Sequence, residues 1–164
     1  PQELANMAWA FATVGVDAPR LFVAIADAAQ SKLGNFNSQD IANTAWAFAC
    51  VDWKEPQIFV ALADASAQRL NTMNDESLSQ LHLVSLHWRL EWPDRRFPLS
   101  HCTRQLQSAY VRREPRPSHL QRDVAAALHR LDWAHVFEHV TSEGFSLDMA
   151  QPDAKCAVEV DGPS

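Results

Sequence analysis

Three carboxamides stand at matching places in otherwise apolar stretches. Asn6, Asn43 and Gln80 are each 37 residues apart. A carboxamide both donates and accepts, so it can read a nucleobase edge or tie one helix to the next. The spacing leaves both accounts open. Arginine offers a second chemistry. The basic groups between residues 75 and 117 are Arg89, Arg95, Arg96, Arg104, Arg112, Arg113 and Arg116, with no lysine among them. A guanidinium is a planar fork that grips phosphate and stacks on bases. A solvated helix face is the plain alternative. Metal and thiol chemistry draw little support. All 7 histidines fall between His82 and His139, and neither His82/His87 nor His135/His139 has a third ligand at metal spacing. Cys50, Cys102 and Cys156 are widely spaced and read as reduced, buried small hydrophobes in an intracellular protein.

Charge places the arginines. The 164 residues carry 14 Lys+Arg against 20 Asp+Glu, a net charge of −6. Such a balance argues against coating nucleic acid by bulk charge. The charge is uneven, however. Residues 1–74 carry 4 basic and 7 acidic groups, residues 75–117 carry 7 and 5, and residues 118–164 carry 3 and 8. The basic middle is where a phosphate backbone is expected. A hydrophobic content of 47% excludes a chain disordered throughout. No apolar run is long enough to span a membrane. With only 4 glycines, a Gly-rich phosphate loop is nearly excluded.

The elements that position these groups follow from an internal repeat. Residues 1–37 and 38–74 align without a gap, with 18 identical positions. Leu4 to Ala12 matches Ile41 to Ala49, and Phe22 to Ala28 matches Phe59 to Ala65. Pro19, Pro56 and Pro93 keep the same period into a third, weaker unit. Each unit is predicted to be a helical hairpin. Ala is the best helix former, and 17 of the first 74 residues are Ala. Ser38 is the expected N-cap of the third helix, and Pro56 suits the start of the fourth. One hairpin cannot bury its own apolar face, but stacked hairpins can, which is the logic of an α-solenoid. Trp9, Trp46, Phe11 and Phe48 are expected in the core, and Trp88 and Trp92 are expected to cover the end of the stack.

Further along, the pattern changes. Pro115 and Pro117 break the chain, and Ser118 is placed to cap an amphipathic helix over 118–131, with Leu120, Val124, Ala127, Leu128 and Leu131 on one side. Strands are expected around Val136–Val140, Phe145–Met149 and, most strongly, Lys155–Asp161. The expected organisation is helical repeats over 1–97, a helical connecting region over 98–133, and the start of an α/β module over 134–164.

The run Glu143-Gly144-Phe145-Ser146-Leu147-Asp148, followed by Val158-Glu159-Val160-Asp161-Gly162-Pro163-Ser164, resembles the opening of a RAP domain. The Ala/Trp/Phe units resemble the octotricopeptide and FAST-kinase-like helical repeats that precede that domain. The resemblance implies a mainly α chain, a solenoid of repeats of ~37 residues leading into a restriction-endonuclease-like α/β domain. It implies an RNA-binding protein of the mitochondrion or chloroplast, acting in transcript processing, stability or translation. Single-stranded organellar RNA would be its partner, with other RNA-processing proteins. Asn6, Asn43, Gln80, Arg89, Arg95, Arg96, Arg112 and Arg113 are the expected RNA-binding residues. In nucleases of that fold, carboxylates on adjacent strands hold Mg²⁺. Carried over, Asp148 and Glu159 become metal ligands, with Asp161 beside them as a third catalytic candidate. Asp161 stands where many such nucleases have Lys, a departure that weighs against catalysis. Alternative readings are a Mg²⁺-dependent endoribonuclease and a solenoid scaffold for protein partners. Because the chain opens at Pro1 and ends at Ser164, it is expected to be part of a longer protein whose targeting segment lies outside it, and to be inactive as a nuclease by itself.

Overall fold

The computed structural model describes residues 1–112, 117–142 and 144–160. It is mainly helical, with seven α-helices and one small antiparallel sheet among those residues. The chain forms two compact units, Pro1–Arg112 and Arg113–Ser164. The segment expected as a connector, 98–133, is therefore shared between them.

The first unit is built from α1 (Gln2–Val14), α2 (Pro19–Lys32), α3 (Ser38–Cys50), α4 (Pro56–Ala67), α5 (Asp75–Glu91) and α6 (Thr103–Val111). Pro19 and Pro56 open α2 and α4, where a missing N–H costs nothing. Asn37, not Ser38, caps α3. Its Oδ1 accepts from the Asp40 N–H at 2.8 Å, while the Asp40 carboxylate accepts from the Asn37 N–H at 3.1 Å. Asn37 keeps the extended backbone an N-cap needs, and Ser38 is already helical. Asn74 repeats the device on α5, accepting from Ser77 N–H at 2.9 Å. The ends of α1 and α3 also match. Gly15 and Asp52 both turn left-handed, at φ 70° and 55°. Val16 N–H then reaches back to Phe11 O, as Trp53 N–H does to Phe48 O. This 6→1 closure satisfies a carbonyl the helix leaves open.

The period lapses after α5. No helix starts at Pro93; residues 92–99 form turns, and α6 begins at Thr103. α1 packs on α3, α3 on α5, and α5 on α6. Phe22, Ile41, Phe48, Phe59, Leu62, Leu81 and Leu106 are almost wholly buried between them. Trp88 is buried, donates from Nε1 to Arg95 O at 2.9 Å, and packs on Trp92 and Phe97. Trp9 and Phe11 are not core residues: they are 43% and 36% exposed, whereas Phe48 is fully buried. In the second repeat Phe48 is buried and Trp46, expected in the core, is half-buried, because α1 and α2 pack ahead of them.

The second unit holds α7 (His119–Arg130), β1 (Val136–Val140), β2 (Ser146–Gln151) and β3 (Cys156–Val158). The sheet has the order β1-β2-β3, and both pairings are antiparallel. Met149 faces Phe137 on one side and Val158 on the other, which buries it completely in the central strand. β3 is the shortest described strand, and its Cys156 and Ala157 are exposed. A strand at the edge lacks a second neighbour, and its apolar composition alone does not lengthen it. Ser118 caps α7 with Gln121 as its reciprocal partner. No α7 residue is fully buried, and Leu120 and Leu131 are exposed. The three thiols are free, and Cys50 and Cys156 are exposed rather than buried.

Candidate nucleic-acid interface

The repeat-spaced carboxamides have different surroundings. Gln80 lies on α5, 8% exposed, and donates from Nε2 to Asn43 Oδ1 on α3 at 2.9 Å. The second Gln80 amide atom, Oε1, is buried without a hydrogen-bond partner. Asn43 and Gln80 therefore meet as an interhelix tie. An amide inside an apolar helix interface is costly unless paired, so this bond also fixes the relative register of α3 and α5. Asn6 is exposed on α1, and no side-chain hydrogen bond holds it among the described residues. The period brings together two of the three residues, and leaves the first open to solvent.

The described arginines, Arg89, Arg95, Arg96, Arg104 and Arg112, are all at the surface. Arg89 lies in the last turn of α5, and Arg95 and Arg96 lie in the turns that follow. Arg96 donates from Nε to Ser100 Oγ at 2.7 Å. Arg95 borders an open groove lined by α4 residues Pro56, Gln57, Val60, Ala61 and Asp64. Arg112 is already engaged: it grips Asp75 at 2.7 and 3.1 Å, using two nitrogens. Those hydrogen bonds hold the Asp75 carboxyl below the ordinary carboxylate range. A phosphate would have to displace Asp75 to use Arg112. Neither Arg95 nor Arg104 makes an ion pair among the described residues. Arg113, one of the expected RNA-binding residues, lies outside those described.

The acidic candidates belong to the second unit. Asp148 sits on β2, half-buried, and both of its oxygens accept hydrogen bonds. Oδ1 accepts from Gln121 Nε2 at 2.7 Å, and Oδ2 accepts from Val160 N–H at 2.8 Å. Gln121 is also the residue that returns a hydrogen bond to the Ser118 backbone. One carboxylate thus clasps the first turn of α7 and the chain beyond β3. A negative charge also suits a helix N-terminus. Glu159 is exposed just past β3, and Asp161 lies outside the described residues. Among the described residues, no three His, Cys, Asp or Glu side chains are grouped to hold a metal ion. The donor set around Asp148, with both oxygens already hydrogen-bonded, fits a structural clasp better than a Mg²⁺ site.

The clasp was partly visible beforehand. Ser118-x-x-Gln121 is a capping-box pattern, but nothing in the sequence pointed Gln121 at Asp148. Asn37 and Asn74 share the 37-residue spacing of the prolines, which is the sequence signal of both caps. Comparison with protein-family models, curated proteins and solved structures finds no match to this chain.

Proposed function

We propose that this chain is part of a single-stranded RNA-binding protein, with the first unit serving as an α-solenoid of helical-hairpin repeats. The observation that carries the reading is the exposed arginine segment at the end of that unit, where Arg95 and Arg104 stand without acidic partners among the described residues. Unneutralised guanidinium groups on an otherwise acidic chain offer a local site for phosphates. Asn6 supplies an accessible amide of the kind that RNA-binding surfaces use. The resemblance to RAP-domain proteins extends the proposal to an organellar role in transcript processing, stability or translation. In this reading the second unit contributes structure or RNA contact.

Filter binding with labelled oligoribonucleotides tests the proposal. Single strands are expected to be retained at low salt and competed weakly by duplex of the same sequence. Retention of neither form at low salt, or equal retention of both, would remove the reading.

A protein-scaffold role has one observation in its favour, the apolar surface on α1 at Met7, Trp9, Phe11 and Val14. A partner on that surface would survive ribonuclease treatment.

A further inference from the structure

The exposed apolar face of α1 has an internal comparison one repeat away. Met7, Ala10 and Phe11 are exposed, while their 37-residue counterparts Thr44, Ala47 and Phe48 are each essentially buried in α3. The difference lies in the neighbours. Phe48 is met edge-on by Phe22 of the preceding hairpin, with ring centroids 5.4 Å apart. Trp46 is met by Trp9, at 6.4 Å. Among the described residues, none plays the part of Phe22 for Phe11, or of Trp9 for Trp9 itself.

We propose that the open face of α1 is a docking surface for one further helical hairpin of the same 37-residue pattern, presented in tandem as α1 and α2 are presented to α3. The incoming hairpin would set a phenylalanine, at the Phe22 position of the pattern, edge-on against Phe11. A tryptophan at the Trp9 position would lie over Trp9. Its Ala-rich side would close on α1, as Ala5 and Ala8 of α1 are closed by α3 packing. The surface continues an interface that the molecule already uses between α1 and α3 and between α3 and α5. A second copy could not offer the alanine side of its own α1, because Ala5 and Ala8 are already covered by α3. This inference rests on the repeat reading of residues 1–74, and not on RNA binding.

The test is a chain with an added copy of residues 1–37 placed ahead of Pro1. The amides of α1 should then exchange more slowly, by about tenfold or more, as a helix covered on a second side does. Phe11→Ala should scarcely move the Tm of the original chain, but should lower that of the extended chain by several degrees. Replacing the added copy's counterpart of Phe22 with Ala should lower it similarly. If the added copy exchanges like unfolded chain and Phe11→Ala has the same small effect in both proteins, the proposal is overturned. Concentration-dependent dimerisation of the original chain that protects α1 would also overturn it, by making a second copy the occupant. Either failure leaves the RNA titration to be judged separately.

Discussion

At the scale of single residues, two hydrogen-bonded groups carry more than their types announce. Asn43 and Gln80 pair across α3 and α5, which takes them from candidate base readers to an interhelix tie. Removing Asn43 would strand the buried Gln80 donor, so Asn43→Ala should cost about 1–3 kcal/mol. A double-mutant cycle with Gln80→Ala, followed by urea denaturation, should return a coupling of about 0.5–1.5 kcal/mol. Additive effects would show that the pair does not interact. Asp148 makes the corresponding case in the second unit. Asp148→Asn would aim an amide N–H₂ at one of two donors, Gln121 Nε2 or the Val160 N–H. The expected loss is about 1–3 kcal/mol, together with faster amide exchange in the first turn of α7. A variant with unchanged exchange in α7 would show that the clasp is not what holds that helix.

At the scale of elements, local signals do most of the work. Asn37 and Asn74 each satisfy a backbone N–H that the helix cannot pair. Asn37→Ala and Asn74→Ala should each lower stability by about 1 kcal/mol, read by thermal or urea unfolding. Ser38→Ala, one residue into the helix, should cost markedly less. The helix starts at Pro19 and Pro56 were legible because proline has a fixed φ and no N–H to lose. The helical hairpins of residues 1–74 were legible because matched prolines and Ala-rich runs start and sustain α1 to α4 at the same spacing. Pro93 kept the spacing without making a helix, because no apolar helical pattern follows it and the chain turns instead through Arg95 and Arg96 to bury Phe97 and Leu99. The exposure of Trp9 and Phe11 was not legible, since burial depends on a neighbouring hairpin and not on the residue itself. Lys155–Asp161 looked the best strand on composition, yet β3 spans only Cys156–Val158 among the described residues, at the sheet edge.

At the scale of the whole molecule, the net charge of −6 conceals a basic middle. The described arginines differ in their partners. Arg112 is engaged with Asp75 and Arg96 with Ser100, while Arg95 and Arg104 lack ion-pair partners among the described residues. Arg112→Ala should therefore weaken RNA binding less than Arg95→Ala or Arg104→Ala, as measured at a single salt concentration. The most direct measurement of the central claim is a salt titration of single-stranded RNA binding by fluorescence anisotropy. It compares the chain with its Arg95→Ala/Arg96→Ala/Arg104→Ala variant. Each phosphate contact contributes a slope of about −0.7 in log affinity against log salt. Loss of the two unengaged guanidinium groups, Arg95 and Arg104, should flatten the slope by about 1.4, with Arg96 adding less, and weaken binding at low salt. No binding by the original chain at low salt, or an identical slope in the variant, would contradict the account.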